Sequence, residues 1–149
     1  MAPLDPHALT LVVRWAHVVA MAVALGGAVL VAAAVTLRGA GAAALPVALA
    51  YERVFWAAAG VLVMTGVGNL GAFGRALPAP GTEWGAALTL KLAAIALLLA
   101  LSLPRTLAVL RLERRDPEAA TVREGLRWLY GTTVILLGAI VLAAQVLAH

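Results

Sequence analysis

Four long apolar runs, separated by short polar or Gly/Pro-rich stretches, set the pattern of this chain. Val18 to Leu37 carries no charge, and the run reaches back to Leu9 with Arg14 as its only interruption. Val54 to Gly74 is a second uncharged run, Trp84 to Pro104 a third broken only by Lys91, and Trp128 to Ala148 a fourth. A helix needs about 20 mostly apolar residues to cross roughly 30 Å of hydrocarbon. The pattern predicts an all-α integral membrane four-helix bundle, one domain over 1–149, with spans at about 9–37, 52–74, 84–104 and 126–148. Barrel strands are short and alternate in polarity, so these continuous runs exclude a barrel. The first run is too long for the core of a cleaved leader and no Lys or Arg precedes Arg14, which predicts a retained helix.

The connections carry signals of their own. Pro46 is the expected start of helix 2. Pro78, Pro80 and Gly81 predict an extended loop between helices 2 and 3. Asp116-Pro117-Glu118 reads as a helix start, with Asp as cap, Pro at the first position and acid in the first turn. Helix 3 is then free to run past Pro104 to about Arg115. Small residues at Ala22/Gly26, Gly60/Gly68 and Gly131/Gly138 are the expected points of close helix approach.

Composition agrees with a lipid environment. Of 149 residues, 64% are hydrophobic and 12% charged, with mean hydropathy +1.00, whereas a soluble domain is about a quarter charged. Soluble, disordered and nucleic-acid-binding classes are excluded. Cysteine is absent, which removes disulfides, thiolate metal sites and iron–sulfur clusters. The net charge of +4 matters through its placement. Arg38, Arg53, Arg105, Arg111, Arg114, Arg115, Arg123 and Arg127 fall in the first and third connections, against Arg75 and Arg14 on the other side. Positive charge stays inside, so both termini are expected outside a bacterial-type cytoplasmic membrane. Trp84 is the expected outer aromatic anchor, and Tyr51, Trp56, Trp128 and Tyr130 the inner ones.

Polar residues inside the runs are few and carry the candidate chemistry. His17 stands about eight residues into the first run and Lys91 about seven into the third, which at 1.5 Å per residue places both roughly 10–12 Å below the outer surface. Met64 reaches a similar depth on helix 2, so His, Met and Lys share one layer. His17 and Met21 are one turn apart on one helix face. Imidazole binds copper, zinc or haem iron, and thioether favours Cu(I) or haem iron. Simpler roles compete: a neutral histidine bonded to a carbonyl, methionines as packing, Lys91 snorkelling to headgroups. No Asp or Glu is expected inside any span, so an inward Lys91 would meet a ligand's anion. Thr65 and Asn69, one turn apart on helix 2, together with His7 and Arg14, form the expected path or surround of the site.

Several of these segments resemble the copper resistance D (CopD) membrane domain: Tyr51-Glu52-Arg53-Val54-Phe55, Met64-Thr65-Gly66-Val67-Gly68-Asn69, and Thr82-Glu83-Trp84-Gly85 followed by Leu88, Leu90, Lys91 and Leu92. Arg14-Trp15-Ala16-His17-Val18-Val19 resembles the first-helix His segment of that group. His17 and Lys91 are also similar to the first-helix His and third-helix Lys of the HemJ protoporphyrinogen oxidases, although Val31 to Val35 stands where those proteins have Pro-Arg, and their later histidines lack counterparts. The first resemblance implies copper uptake or transfer, with His17, Met21 and Met64 as soft ligands of a copper ion. The second implies a haem b redox protein, with His17 as axial ligand, Met64 or a small molecule opposite, and Lys91 on a propionate; only then is the chain an oxidoreductase. The residues alone leave a third alternative, an auxiliary subunit of a larger membrane complex without its own site. The expected partners are membrane lipid, a periplasmic copper or electron-transfer protein, and further copies or a larger complex, with no nucleic acid.

Overall fold

The computed structural model describes residues 5–37, 41–71, 81–115 and 119–146, and within them the chain is helical almost throughout. The helices are α1 (Pro6–Thr36), α2 (Gly41–Gly71), α3 (Glu83–Arg115) and α4 (Ala119–Val146). Each contains a stretch long and apolar enough to cross a bilayer: His7–Thr36, Ala44–Gly66, Leu88–Glu113 and Glu124–Ala144. Only helices and closed barrels satisfy every backbone polar group in hydrocarbon, which is why such sequences fold this way. The chain is a multi-pass membrane protein.

Local signals fix several helix ends. Asp5 caps α1, its side chain accepting from the His7 N–H at 3.0 Å, and Pro6 follows at the first position. Thr82 starts α3, with its hydroxyl oxygen accepting the Gly85 N–H at 3.0 Å. Pro46 does not start α2, which already begins at Gly41. A prolyl nitrogen forfeits one backbone bond, a loss that membrane helices tolerate where neighbours reclaim the freed groups. α3 likewise runs through Pro104 to Arg115. The Ser102 hydroxyl, two residues before that proline, donates to the Leu98 carbonyl. The Asp116-Pro117-Glu118 start and the extended loop around Pro78 and Pro80 lie outside the described residues, as does the Trp84 side chain.

The connections make the bundle antiparallel. One end carries the α2–α3 connection (the single-loop end), and the other carries the α1–α2 and α3–α4 connections (the double-loop end). Among the described residues, α1 packs most closely on α2 and also meets α4, α3 lies against α4 and, more sparsely, α2, and the backbones of α1 and α3 stay apart at opposite corners. Alanines allow the close α1–α2 approach: Ala20, Ala24 and Ala28, continued by Val31 and Val35, face Ala44, Ala48, Tyr51 and Phe55. The expected pair Ala22/Gly26 is instead exposed, as is Gly60. Gly27 is where contact is tight, since a Cβ there would meet the Tyr51 ring at 2.6 Å. Exposed Leu11, Trp15, Val18, Leu30, Leu90 and Ile135 form the lipid-facing surface.

Burial is uneven along the axis. Among the described residues, the largest fully buried side chains are Arg105, Tyr130, Phe55, Leu126, Leu137, Val31, Val35, Val109 and Ser102. All but Leu137 lie at the midplane or toward the double-loop end.

Candidate functional site

Two polar layers cross the bundle. Toward the single-loop end, His17 on α1 meets Thr65 on α2, with Nδ1 and Oγ1 2.7 Å apart. The Thr65 hydroxyl gives its proton to the Val61 carbonyl at 2.6 Å. With the proton there, its oxygen accepts from His17 when Nδ1 is the protonated ring nitrogen. The imidazole is then the tautomer with a free lone pair on Nε2, the arrangement in which a partner on one ring nitrogen prepares the other for ligation. Lys91 on α3 is half-buried and lies close enough to act electrostatically on the same ring. Met21, one turn beyond His17, is half-buried against the core.

The remaining sequence candidates fall elsewhere. Met64 is 77% exposed, so its thioether points away from the bundle interior. His7 and Arg14 are exposed; Arg14 lines a shallow apolar recess on α1 with Leu11, Val12, Trp15 and Val18. The Asn69 side chain lies outside the described residues. Among the described residues no three His, Cys, Asp or Glu side chains cluster as metal ligands would. The donors present here are an imidazole, a thioether and a hydroxyl.

The second layer lies toward the double-loop end and was not legible as a site. Glu52 on α2 is 3% exposed and Arg105 on α3 is 1% exposed. Both sit inside spanning segments, about eight residues from the Ala44 and Glu113 bounds, or roughly 12 Å at the helical rise. The expectation of no acid within a span is thus corrected, and Arg105 is no loop charge. Arg105 donates from Nε to Glu52 Oε1 at 2.9 Å, from Nη2 to Oε2 at 3.1 Å and from Nη1 to Thr133 Oγ1 at 2.9 Å. Thr106 and Tyr130 donate their hydroxyls to the same carboxylate. Trp56 donates Nε1–H to Thr106 at 3.0 Å. The guanidinium lies 4.3 Å from the Phe55 ring centroid, 5.5 Å from that of Tyr51 and 5.4 Å from that of Tyr130.

Four donors satisfy both carboxylate oxygens, and three aromatic faces stabilise the cation. Among the described residues no buried side-chain polar atom lacks a partner. This full pairing is what lets two charges exist in a low-dielectric interior. Tyr51 and Tyr130, expected as interfacial anchors, are buried parts of it, and Tyr51 also donates its hydroxyl to the Ala24 carbonyl of α1 at 2.8 Å. Trp128 is exposed, consistent with an interfacial ring. Tyr130 and Thr133 share a face of α4, a signal that points to a polar seam once Glu52 and Arg105 are placed inside the spans.

Residues 45–147 match the family model for copper resistance protein D. The matched stretch takes in nearly all of α2 and the whole of α3 and α4, with every side chain of the second layer, whereas His17 precedes it. No curated protein and no solved structure matches the chain.

Proposed function

The chain belongs to the copper resistance protein D family, and from that premise we propose that it takes up or transfers copper through an intramembrane site at His17. The observation that carries this reading is the Thr65 contact at 2.7 Å, which orients the ring with Nε2 free. Neutral imidazole and thioether suit Cu(I), so His17 and Met21 are the ligands that this chain offers. Lys91 opposes a cation held there, so binding is weak and suited to passage rather than storage. With Arg105 removed from the loop count, the remaining arginines still favour the double-loop end. The positive-inside bias then puts that end in the cytoplasm and the His17 layer toward the outside of a bacterial-type cytoplasmic membrane. A periplasmic donor or acceptor protein is the partner this placement calls for.

One observation favours a second reading. Lys91 lies near enough to His17 to act on it electrostatically, and the two would serve haem b as anion anchor and axial ligand.

One preparation separates the two. Detergent-solubilised protein is loaded with Cu(I) under anaerobic conditions, and its metal content and visible spectrum are measured. Bound copper in the parent, lost in His17→Ala and reduced in Met21→Ala, supports copper transfer. A Soret band that disappears in His17→Ala establishes haem. If neither copper nor haem is found, the auxiliary-subunit alternative stands.

A further inference from the structure

Among the described residues, burial is complete around Glu52 and Arg105 and partial around His17. Around His17, Thr65 and Lys91 the side chains are half-buried, and the backbones of α1 and α3 stay apart. Around Arg105 the interior is filled by Tyr51, Phe55 and Tyr130, and Glu52 faces the guanidinium. The Glu52–Arg105 layer therefore closes the bundle interior on the double-loop side of His17.

We propose that Glu52 and Arg105 form the gate of this bundle: α2 and α3 are latched there, and separation of the pair opens the interior to the double-loop side. Three features support a latch over simple adhesive. α2 packs far less on α3 than on α1, so the α2–α3 contact depends heavily on this pair. Arg105 bonds in two directions at once, to Glu52 on α2 and to Thr133 on α4, so its withdrawal loosens α3 from both neighbours. An apolar plug would close the bundle as stably or more so, but only a charged pair gains solvation on both halves when water enters. The charged and titratable groups facing the pair are Tyr51 on α2 and Tyr130 on α4; α1 contributes the Ala24 carbonyl and the glycine at 27. The inference rests on the reading that a solute passes through the bundle, not on that solute being copper.

The chain has no cysteine, so single introduced cysteines report against no native thiol. S102C probes the latch, one turn from Thr106 on α3. A94C probes the half-open side, and L137C is a buried reference on α4. Each is treated with a membrane-impermeant maleimide in right-side-out and inside-out vesicles. In the parent background A94C labels from the single-loop side only, and S102C and L137C stay silent. Adding Glu52→Gln keeps the shape and removes the charge; S102C labelling from the double-loop side then rises about tenfold, the change expected on losing a charge-assisted bond. L137C remains silent. Thr133→Val, which removes one partner of Arg105, gives a smaller rise and carries the test if Glu52→Gln does not fold. The gate is overturned if S102C stays silent in every folded variant, if L137C labels in step with it, or if A94C labels equally from both sides. Copper content of the same samples judges the copper reading separately, since the labelling needs no metal.

Discussion

At the scale of single residues, one hydroxyl and two glycines make sharp predictions. Thr65 fixes the His17 tautomer only because its proton goes to Val61. Thr65→Ser keeps that geometry and should bind copper as the parent does. Thr65→Val removes the acceptor and should weaken metal affinity by about 10–100-fold, the usual cost of losing an outer-shell partner; competition with a Cu(I) chelator measures both. Gly27 is a packing requirement. The ring its Cβ would strike at 2.6 Å is held by the bond to Ala24 and by Phe55 and Tyr130, so it cannot swing aside. Gly27→Ala should cost about 1–3 kcal/mol, read as a lower melting temperature in detergent. Gly60→Ala, where nothing lies within 4 Å, should leave that temperature nearly unchanged. The sequence already singled out His17 and Lys91, since polar atoms in an apolar run are conspicuous. Met64 was placed by depth alone, and depth does not say which way a helix face turns.

At the scale of helices, hydropathy made the four elements legible because a bilayer demands unbroken apolar length. The exact bounds were obscured where a charge looked like a boundary. Glu52 and Arg105 read singly as the ends of spans. They lie well inside because each neutralises the other across a gap of 53 positions, and a pattern scored along the chain does not register a distant partner. The same mutual dependence sets the expected energetics. Glu52→Ala or Arg105→Ala leaves one buried charge alone and should destabilise by about 3–5 kcal/mol, whereas the double change Glu52→Leu with Arg105→Leu should recover most of the loss. A double-mutant comparison of thermal unfolding in one detergent measures this coupling, and additive losses would show that the pair is not a unit.

At the scale of the whole molecule, the order in which the helices are made gives the buried pair a further consequence. A lone arginine deep in a spanning helix costs about 2.5–3.5 kcal/mol on insertion scales, and Arg105 sits inside Leu88–Glu113. The carboxylate that receives it belongs to α2, synthesised earlier. That order predicts that α3 enters the membrane more readily when Glu52 is already there to pair with its cation. Glu52→Ala should lower the fraction of chains in which α3 crosses the membrane, scored by a glycosylation tag placed after α3 in a cell-free translation with microsomes. On this expectation, the earlier helix escorts the later one into lipid.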